Sequence, residues 1–309
     1  MPDPGLEDGW ARHGYTWPTR NGTCKVSLRG RARLERLCKC APGDQAGDSD
    51  RIRIASGAAG IERLEAHLHG QAFSPHRHDT YAIGVTLSGI QTFHFRGERW
   101  HCLPGQCHIL HPDEIHDGGA GNDEGFTYRI VYVAPWLVQE AMKGKPLPFV
   151  RSPVVDAARL DRSTSDVWNL EEDLNDVTRI ELVVAVTNLL VEASSDIARK
   201  HGPLAVSRLS RVRDLIAAAP AERRSMEELE RTAGLDRWTL ARQFRAAFGT
   251  SPSRFRTMRQ LDHVRHVLRN GASLTEASSA AGFADQSHMS RHFKSAYGLT
   301  PGQWVSVIV

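Results

Sequence analysis

Three histidines in the N-terminal half have side chains that can do chemistry together. His76 and His78 are separated by one residue, and His116 follows Gly105 by eleven residues. Imidazole nitrogens bind Zn²⁺ or Fe²⁺, and they also form hydrogen bonds with small polar molecules. These residues therefore predict either a metal-binding face or a pocket for a small molecule.

A second set of reactive side chains lies in an internal repeat of the C-terminal third. Residues 225–234 match residues 273–282 at an offset of 48, and residues 240–252 match residues 289–301 at an offset of 49. Each copy carries polar side chains that can read base edges in the major groove or neutralise phosphates. The predicted DNA-contacting residues are Arg237, Trp238, Thr239, Arg242 and Arg245 in the first copy, and Gln286, Ser287, His288, Arg291 and Lys294 in the second.

Two helices in each copy must position these side chains. A capping box begins the first helix, because a Ser oxygen and a Glu carboxylate three residues apart satisfy free N–H groups; the boxes are Ser225 with Glu228 and Ser273 with Glu276. Gly234 or Gly282 then allows a tight turn, and Gly249 or Gly298 suits a left-handed cap after the second helix. Each copy is therefore predicted to be a helix-turn-helix.

One long helix is predicted between the two copies. It begins at Pro252 and has about 18 residues, hence a length of ~27 Å. A stiff spacer of this length can hold two recognition helices about one DNA turn, ~34 Å, apart. Because residues 237–239 differ from residues 286–288, the DNA site should be non-palindromic.

The net charge of +3 is distributed unevenly along the chain. Residues 203–309 hold 16 Lys and Arg against 9 Asp and Glu, whereas the first 202 residues hold 23 against 27. A basic segment joined to an acidic remainder is typical of a polyanion-binding domain attached to a second domain. The length of 309 residues agrees with two domains.

The composition indicates a globular chain that does not contact a membrane. Hydrophobic residues make up 40% and charged residues 24%, and no run approaches the ~18 to 20 apolar residues of a membrane span. The five Cys have no regular spacing, which favours a reducing compartment. Residues 1–22 lack a signal-peptide pattern, so we expect a cytoplasmic protein.

The fold class predicted from these patterns is α+β with several domains. Residues 1–50 are predicted to be a disordered tail, and short β-rich runs separated by turn residues predict a small antiparallel barrel over residues 51–145. Residues 146–202 are predicted to be a linker with interaction helices, in which Leu182, Val186 and Leu189 belong to an apolar stripe. Residues 203–309 form the all-α domain with two helix-turn-helix units.

The C-terminal third resembles the DNA-binding domain of the AraC/XylS family of transcription regulators. The resemblance covers residues 204–304 and is clearest over residues 281–301, although Met226 and Met289 stand where Leu or Phe is commoner. It implies that Trp238, Arg242, Gln286, Ser287 and Arg291 face DNA. It also implies double-stranded promoter DNA, a small-molecule effector and RNA polymerase as partners, and a homodimer.

The β-rich segment resembles the two motifs of cupins, and so implies a cupin-like effector-binding domain. The first motif runs from Gly70 through His76 and His78, but Ala82 stands where metal-binding cupins have Glu. We therefore predict no metal or other cofactor; if a metal binds, its ligands are His76, His78 and His116. The predicted effector-pocket residues are His76, His78, Tyr81, His116, Arg129 and Tyr132.

Three functions from different classes can be compared with these patterns. A ligand-controlled transcription regulator, which is not an enzyme, accounts for both halves of the chain. A metal-dependent cupin enzyme joined to a DNA-binding module is the alternative, and Ala82 argues against it. A methyl-accepting repair regulator of the Ada type needs a cysteine zinc site, which Cys24, Cys38 and Cys40 do not supply.

Overall fold

Residues 51–160, 168, 170, 172–194 and 204–308 are described by the computed structural model. The tail predicted for residues 1–50, with its three Cys, lies outside these ranges. These ranges contain ten strands: β1 (Arg51–Ala58), β2 (Ile61–Leu68), β3 (Phe73–His76), β4 (Tyr81–Gly89), β5 (Gln91–Phe95), β6 (Glu98–Cys102), β7 (Gln106–Leu110), β8 (His116–Ala120), β9 (Phe126–Val133) and, after the first helix, β10 (Val154–Asp156).

The strands form two antiparallel sheets stacked as a cupin-like jelly roll. The large sheet has the order β1-β2-β9-β4-β7-β10, and the small sheet has the order β3-β8-β5-β6. Inner-face residues alternate with outer-face residues along each strand. In β9, Tyr128 and Ile130 face the small sheet, whereas Val131 and Val133 face away from it.

Two helices cover the outer face of the large sheet. Helix α1 (Pro135–Ala141) begins at Pro135, and helix α2 (Asp176–Ala193) begins after Asn175, whose side chain accepts a hydrogen bond from the N–H of Thr178. Leu182, Val186 and Leu189 of α2 are buried against the sheet, as the predicted apolar stripe requires. The sheets, α1 and α2 together are called the N-terminal domain below.

Seven helices form the C-terminal domain. They are α3 (Val206–Ala218), α4 (Met226–Ala233), α5 (Arg237–Phe248), α6 (Pro252–Arg269), α7 (Leu274–Ala280), α8 (Gln286–Tyr297) and α9 (Pro301–Ile308). Helices α4 with α5 and α7 with α8 are the two helix-turn-helix units, and α6 is the 18-residue spacer. Each unit has its own apolar cluster, and only α6 contributes residues to both.

The caps of the repeat differ in one respect from the sequence prediction. Gly234, Gly249 and Gly298 adopt the predicted left-handed conformation, with φ of 60°, 74° and 72°. The box at Ser273 is complete, but the box at Ser225 is half formed. There the Ser oxygen accepts the N–H of Glu228, whose carboxylate binds Arg224 instead.

The β-rich runs of the sequence are residues 52–55, 61–67, 81–87, 92–95, 107–111 and 127–133, so four of the ten strands were not predicted. β3, β6 and β8 contain Pro, charged residues or Gly, so their alternation is weak. β10 comes from the segment predicted as linker, and its three residues pair with β7 at the edge of the large sheet. A three-residue edge strand is too short to produce a periodic pattern.

Two histidines of the N-terminal domain, His108 and His111, are buried. His108 lies over Gly84, where a Cβ atom would come within 2.1 Å of the imidazole Cε1, and Nε2 of His111 accepts the N–H of Val150 at 3.0 Å. Burial lowers the pKa of His108 to about 4. Burial, with a smaller effect of Arg96, lowers the pKa of His111 to about 3.

The free energy of unfolding should therefore fall as the pH drops below ~6.5, because the unfolded chain then binds protons that the folded chain excludes. Each such histidine contributes up to ~1.4 kcal/mol per pH unit. His111→Gln keeps an acceptor for Val150 and should make the decline shallower by about that amount. Urea unfolding between pH 7.5 and 4.5 measures it, with His101→Gln at an exposed position as control. An unchanged slope in His111→Gln contradicts the prediction.

Candidate ligand site and nucleic-acid interface

The histidine cluster, defined as His76, His78 and His116, lies at one end of the jelly roll. His76 on β3 and His116 on β8 are directly opposite each other, and their ring centroids are 4.3 Å apart. The ring of His78 lies 4.8 Å from that of His116 and 6.2 Å from that of His76. The structure thus brings together three residues of the predicted pocket.

Backbone carbonyls orient all three imidazoles. Each Nδ1 atom lies 2.8 to 3.0 Å from the carbonyl oxygen of a residue two positions away. A carbonyl oxygen can only accept, so Nδ1 carries the proton and Nε2 keeps its lone pair. Nε2 of His78 is buried and has no hydrogen-bond partner among the described residues. The cluster therefore presents hydrogen-bond acceptors.

Burial keeps the histidine cluster uncharged near neutral pH. Loss of solvation is the main cause that lowers the pKa of His76, lowers the pKa of His78 to about 3, and lowers the pKa of His116 well below its ordinary value. For His78 and His116, repulsion from the neighbouring rings lowers the pKa further. An uncharged cluster of acceptors cannot neutralise an anion.

The histidine cluster does not fit the metal centre that a cupin implies. Ala82, at the position of the motif's carboxylate, packs among apolar side chains of the inner face. Within the described ranges, no group of three or more His, Cys, Asp or Glu residues is arranged to hold a metal ion. Hydrogen bonding to an organic ligand is the chemistry that this arrangement supports.

The other predicted pocket residues divide between the two faces of the large sheet. The ring of Tyr132 lies 5.2 Å from that of His78, so Tyr132 belongs with the histidine cluster. Tyr81 faces the opposite side, where its hydroxyl donates to the carbonyl of Pro148 at 3.2 Å. Arg129 pairs with Glu65 at 2.6 Å, and neither reaches the histidine cluster. Tyr81 and Arg129 therefore differ from the prediction, because a shift of one residue along a strand moves a side chain to the opposite face of the sheet.

An open cleft of about 440 Å³ lies beside the histidine cluster. Its lining includes Arg77, His94, Arg96, Asp113, Ile115 and His116. The space between the two sheets is occupied by side chains that include Phe93, Phe95, Phe126 and Tyr128. A ligand therefore has room at the rim of the jelly roll rather than deep between the sheets.

The first recognition helix, α5, exposes its N-terminal half. The Asp236 carboxylate accepts the N–H groups of Trp238 and Thr239, each at 3.0 Å, and so begins the helix. Leu240 and Phe244 are buried, which turns the other face outward. The side chain of Trp238 is 79% exposed. Of the predicted contacts in this unit, four are exposed and one, Thr239, is half-buried.

The second recognition helix, α8, has the same design with one difference. Its exposed residues include Gln286, Ser287, Arg291 and Lys294, as predicted. His288 is half-buried, because its Nε2 lies 3.0 Å from Nε2 of His292. Its ring also packs on Phe283 at 5.7 Å. The fold thus uses His288 within the domain, and it also uses Gln286, whose Oε1 accepts a hydrogen bond from the hydroxyl of Thr275 at 3.3 Å.

Three arginines of the spacer helix α6 bind carboxylates of the N-terminal domain. The pairs are Arg254 with Asp113 at 3.0 Å, Arg259 with Asp79 at 2.8 Å, and Arg265 with Glu62 at 2.8 Å. Burial alone raises the pKa of Glu62, but the guanidinium of Arg265 outweighs it and holds that pKa below its ordinary value. The pairs at Asp113 and Asp79 attach the spacer to the segments that carry the histidine cluster, and the pair at Glu62 attaches it to β2.

The sequence patterns did not identify these acidic partners. Asp113 and Thr250 are 137 residues apart, and Glu62 and Arg265 are 203 apart. Nothing local marks a surface carboxylate as the partner of a distant arginine. Asp79 directly follows His78, and Asp113 directly follows Pro112. Their position next to a buried residue was the one hint in the sequence that these carboxylates have partners within the protein.

Comparison with known proteins relates both halves of the chain to transcription regulators. Residues 58–190 match the AraC-like ligand binding domain, and residues 229–306 match a helix-turn-helix domain. The transcriptional activator RhaS of Escherichia fergusonii is 25% identical over 263 residues, covering 77% of this chain and 89% of RhaS. The regulator RipA of Corynebacterium glutamicum is 30% identical over 105 residues, covering 34% of this chain and 32% of RipA.

Solved structures of ToxT from Vibrio cholerae share the fold of both domains. One superposes with a TM-score of 0.58 and 12% identity, over 81% of this chain and 99% of ToxT. Another, which contains a bound unsaturated fatty acid, superposes with a TM-score of 0.55 and 10% identity, over 87% of this chain and 98% of ToxT.

None of the helices in the described part of the chain has the length and apolar character needed to span a membrane.

The pair formed by Glu62 and Arg265 should behave as a buried ion pair. Arg265→Met or Glu62→Gln alone should lower the free energy of unfolding by ~3–5 kcal/mol, since each leaves a partner uncompensated. The double variant should lose less than the sum of the two, by ~0.5–3 kcal/mol. Denaturant unfolding of the four proteins measures this coupling. Additive losses contradict it.

Proposed function

The chain belongs to the AraC/XylS family of transcription regulators, and we propose that each protomer binds double-stranded DNA through both recognition helices under the control of a small molecule. The observation that carries the proposal is the outward N-terminal half of both α5 and α8, each begun by an Asp side chain. The N-terminal residues of a recognition helix are those that enter the major groove. The basic charge of residues 203–309 attracts the phosphates.

We propose the histidine cluster, with Tyr132, as the effector site. The support is the orphaned Nε2 of His78, whose ring lies 4.8 Å from that of His116, a residue that lines the open cleft. A ligand with hydroxyl or N–H groups can donate hydrogen bonds to such acceptors. A carboxylate offers only lone pairs to them, so we expect this chain to differ from ToxT, whose structure contains a fatty acid.

The same family membership supports the remaining partners. Relatives such as RhaS are named activators, and we propose that this chain likewise acts on RNA polymerase at a promoter. We therefore propose that the chain acts in the compartment that holds the chromosome, which in bacteria is the cytoplasm. We propose a regulator without enzymatic activity, since Ala82 stands where the cupin enzyme alternative needs a carboxylate.

Helix α2 supports the proposal of a homodimer. Its buried face packs on the large sheet, while Val177, Ile180, Val184 and Val191 on the other face are 45% to 64% exposed. Their spacing of three, four and seven residues is that of a helix-pairing seam. Exposed apolar residues in such a row mark an association surface.

Selection of duplexes from a random-sequence pool by the purified full chain tests DNA binding. Arg242→Ala and Arg291→Ala should each weaken binding to the selected sequence by ~1–3 kcal/mol and relax the preference at one position. Lys294→Ala should weaken all sequences alike and reduce the salt slope by about 1. Fluorescence anisotropy at several salt concentrations measures both effects. Arg211→Ala, exposed on α3, is the control.

Unchanged affinity in both Arg242→Ala and Arg291→Ala refutes the assignment of these side chains to base contacts. Failure of the wild-type chain to enrich any duplex refutes the proposed function itself.

If the exposed apolar row of α2 is the dimer interface, called the dimer seam here, a charged side chain in that row should change the mass of the assembly. Ile180→Asp places a carboxylate in the apolar row and should convert a dimer into a monomer, because the charge cannot be desolvated there. Sedimentation equilibrium measures the mass. Glu192→Gln, exposed on the flank of α2, should leave it unchanged. A wild-type monomer, or a dimer that survives Ile180→Asp, contradicts the seam.

A further inference from the structure

The N-terminal domain contacts the same end of both recognition helices. Gly249, the cap of α5, lies against Pro112, where a Cβ atom would come within 2.6 Å of the proline Cβ. Gly298, the cap of α8, lies against Ser74 and His76, where a Cβ atom would come within 3.1 Å of either. Both contacts are at C-terminal ends, so they leave the DNA-facing N-terminal halves exposed.

Two short segments of the N-terminal domain make most of these contacts, and the N–H of Leu147 adds a hydrogen bond to the carbonyl of Ala246 in α5 at 3.0 Å. The first rim, residues 74–79, holds the second unit: the N–H of Arg77 donates to the carbonyl of Ser295 at 3.0 Å. The second rim, residues 111–116, holds the first unit: the hydroxyl of Thr250 donates to Asp113 at 3.2 Å. Arg245 of α5 also lies 3.6 Å from the Asp113 carboxylate.

Asp113 is the centre of the second rim. Its side chain is 5% exposed and lies between guanidinium groups of Arg245, Arg254 and Arg77. Its backbone is held in a left-handed conformation with φ of 63°, which is costly for a residue with a Cβ atom. One carboxylate thus joins the recognition helix α5, the spacer α6 and the first rim.

The histidine cluster is where the two rims meet. His76 and His78 belong to the first rim and His116 to the second, and His76 pairs with His116 across the small sheet. The N–H of Asp113 donates to the carbonyl of His78 at 2.7 Å. Any ligand held among these side chains lies between the segment that holds α5 and the segment that holds α8.

The two DNA-binding units need such a restraint. Their apolar clusters are separate, with Phe255 of the spacer in the first and Met258 in the second. The units also touch where Ala221 lies against Gly282. Bending of the spacer between Phe255 and Met258 moves one recognition helix relative to the other, and the two rims oppose that movement.

We propose that the N-terminal domain is a clamp that sets the relative position of the two recognition helices, and that its two jaws are the rims of the effector site. This inference rests on the proposed function, because a fixed position has meaning only if both helices bind one DNA site. It predicts that the clamp determines which distance between half-sites the chain accepts.

The experiment uses the full chain and a duplex selected from a random-sequence pool, with one or two base pairs inserted or deleted between its half-sites. One inserted base pair moves a half-site by ~3.4 Å and rotates it by about a tenth of a turn. For the wild type we expect each change to weaken binding by at least about tenfold, which is ~1.4 kcal/mol. For Asp113→Asn we expect the same changes to weaken binding by less than about threefold.

Two further variants make the result decisive. Thr250→Val keeps the shape of the side chain and removes only the hydrogen bond to Asp113, so it should fold. Its loss of affinity for duplexes of changed half-site spacing should lie between the losses of the wild type and of Asp113→Asn. Asp117→Asn changes a nearby carboxylate that pairs with His94 rather than with the C-terminal domain, and should keep the wild-type penalty. Circular dichroism confirms folding of each variant.

If inserted or deleted base pairs weaken binding equally in the wild type, Asp113→Asn and Thr250→Val, the clamp is overturned while DNA binding stays intact. A wild-type chain that selects no duplex overturns the proposed function first. Loss of affinity for every duplex in Asp113→Asn, with the spacing penalty unchanged, also overturns the clamp, since it shows a general loss of the DNA-binding surface.

Discussion

Attraction between carboxylates of the N-terminal domain and arginines of the spacer helix is the constraint on which this structure depends. Each domain has its own apolar core, and Trp136 of α1 packs against both the core of the N-terminal domain and the apolar cluster of the first DNA-binding unit. Besides these apolar contacts, ion pairs join the two domains at Asp113, Asp79 and Glu62. Buried ion pairs contribute little net stability compared with apolar contacts, but a missing partner is costly. Such a contact therefore specifies one arrangement of the domains.

The local rules of helices and strands made much of the fold predictable. The repeat in residues 225–301 carries its own caps and glycines, so its helices, turns and outward faces follow from the sequence, and the structure has them. The first capping box is only half formed because Arg224, four residues before Glu228, competes for its carboxylate. Strands with clear alternation were also predictable, whereas β3, β6, β8 and β10 lack that pattern.

Only part of the candidate site could be predicted from the sequence. The histidine cluster and Tyr132 lie together as expected, but Tyr81 and Arg129 lie on the far face, since alternation depends on a register that one sequence does not reveal. The acidic partners of the spacer were unpredictable for another reason. Their contacts join residues more than a hundred positions apart, and such pairings depend on how two finished domains meet.

The glycine caps of α5 and α8 bear on how a regulator of this kind can diversify. The N-terminal domain touches these helices at their last turn, and the base-reading residues lie in the first turns. Substitutions at the reading end can therefore accumulate without altering the surface that meets the other domain. The base preference within each half-site and the effector response can therefore change independently, and a C-terminal domain that keeps the two glycines and the three spacer arginines should be exchangeable between relatives.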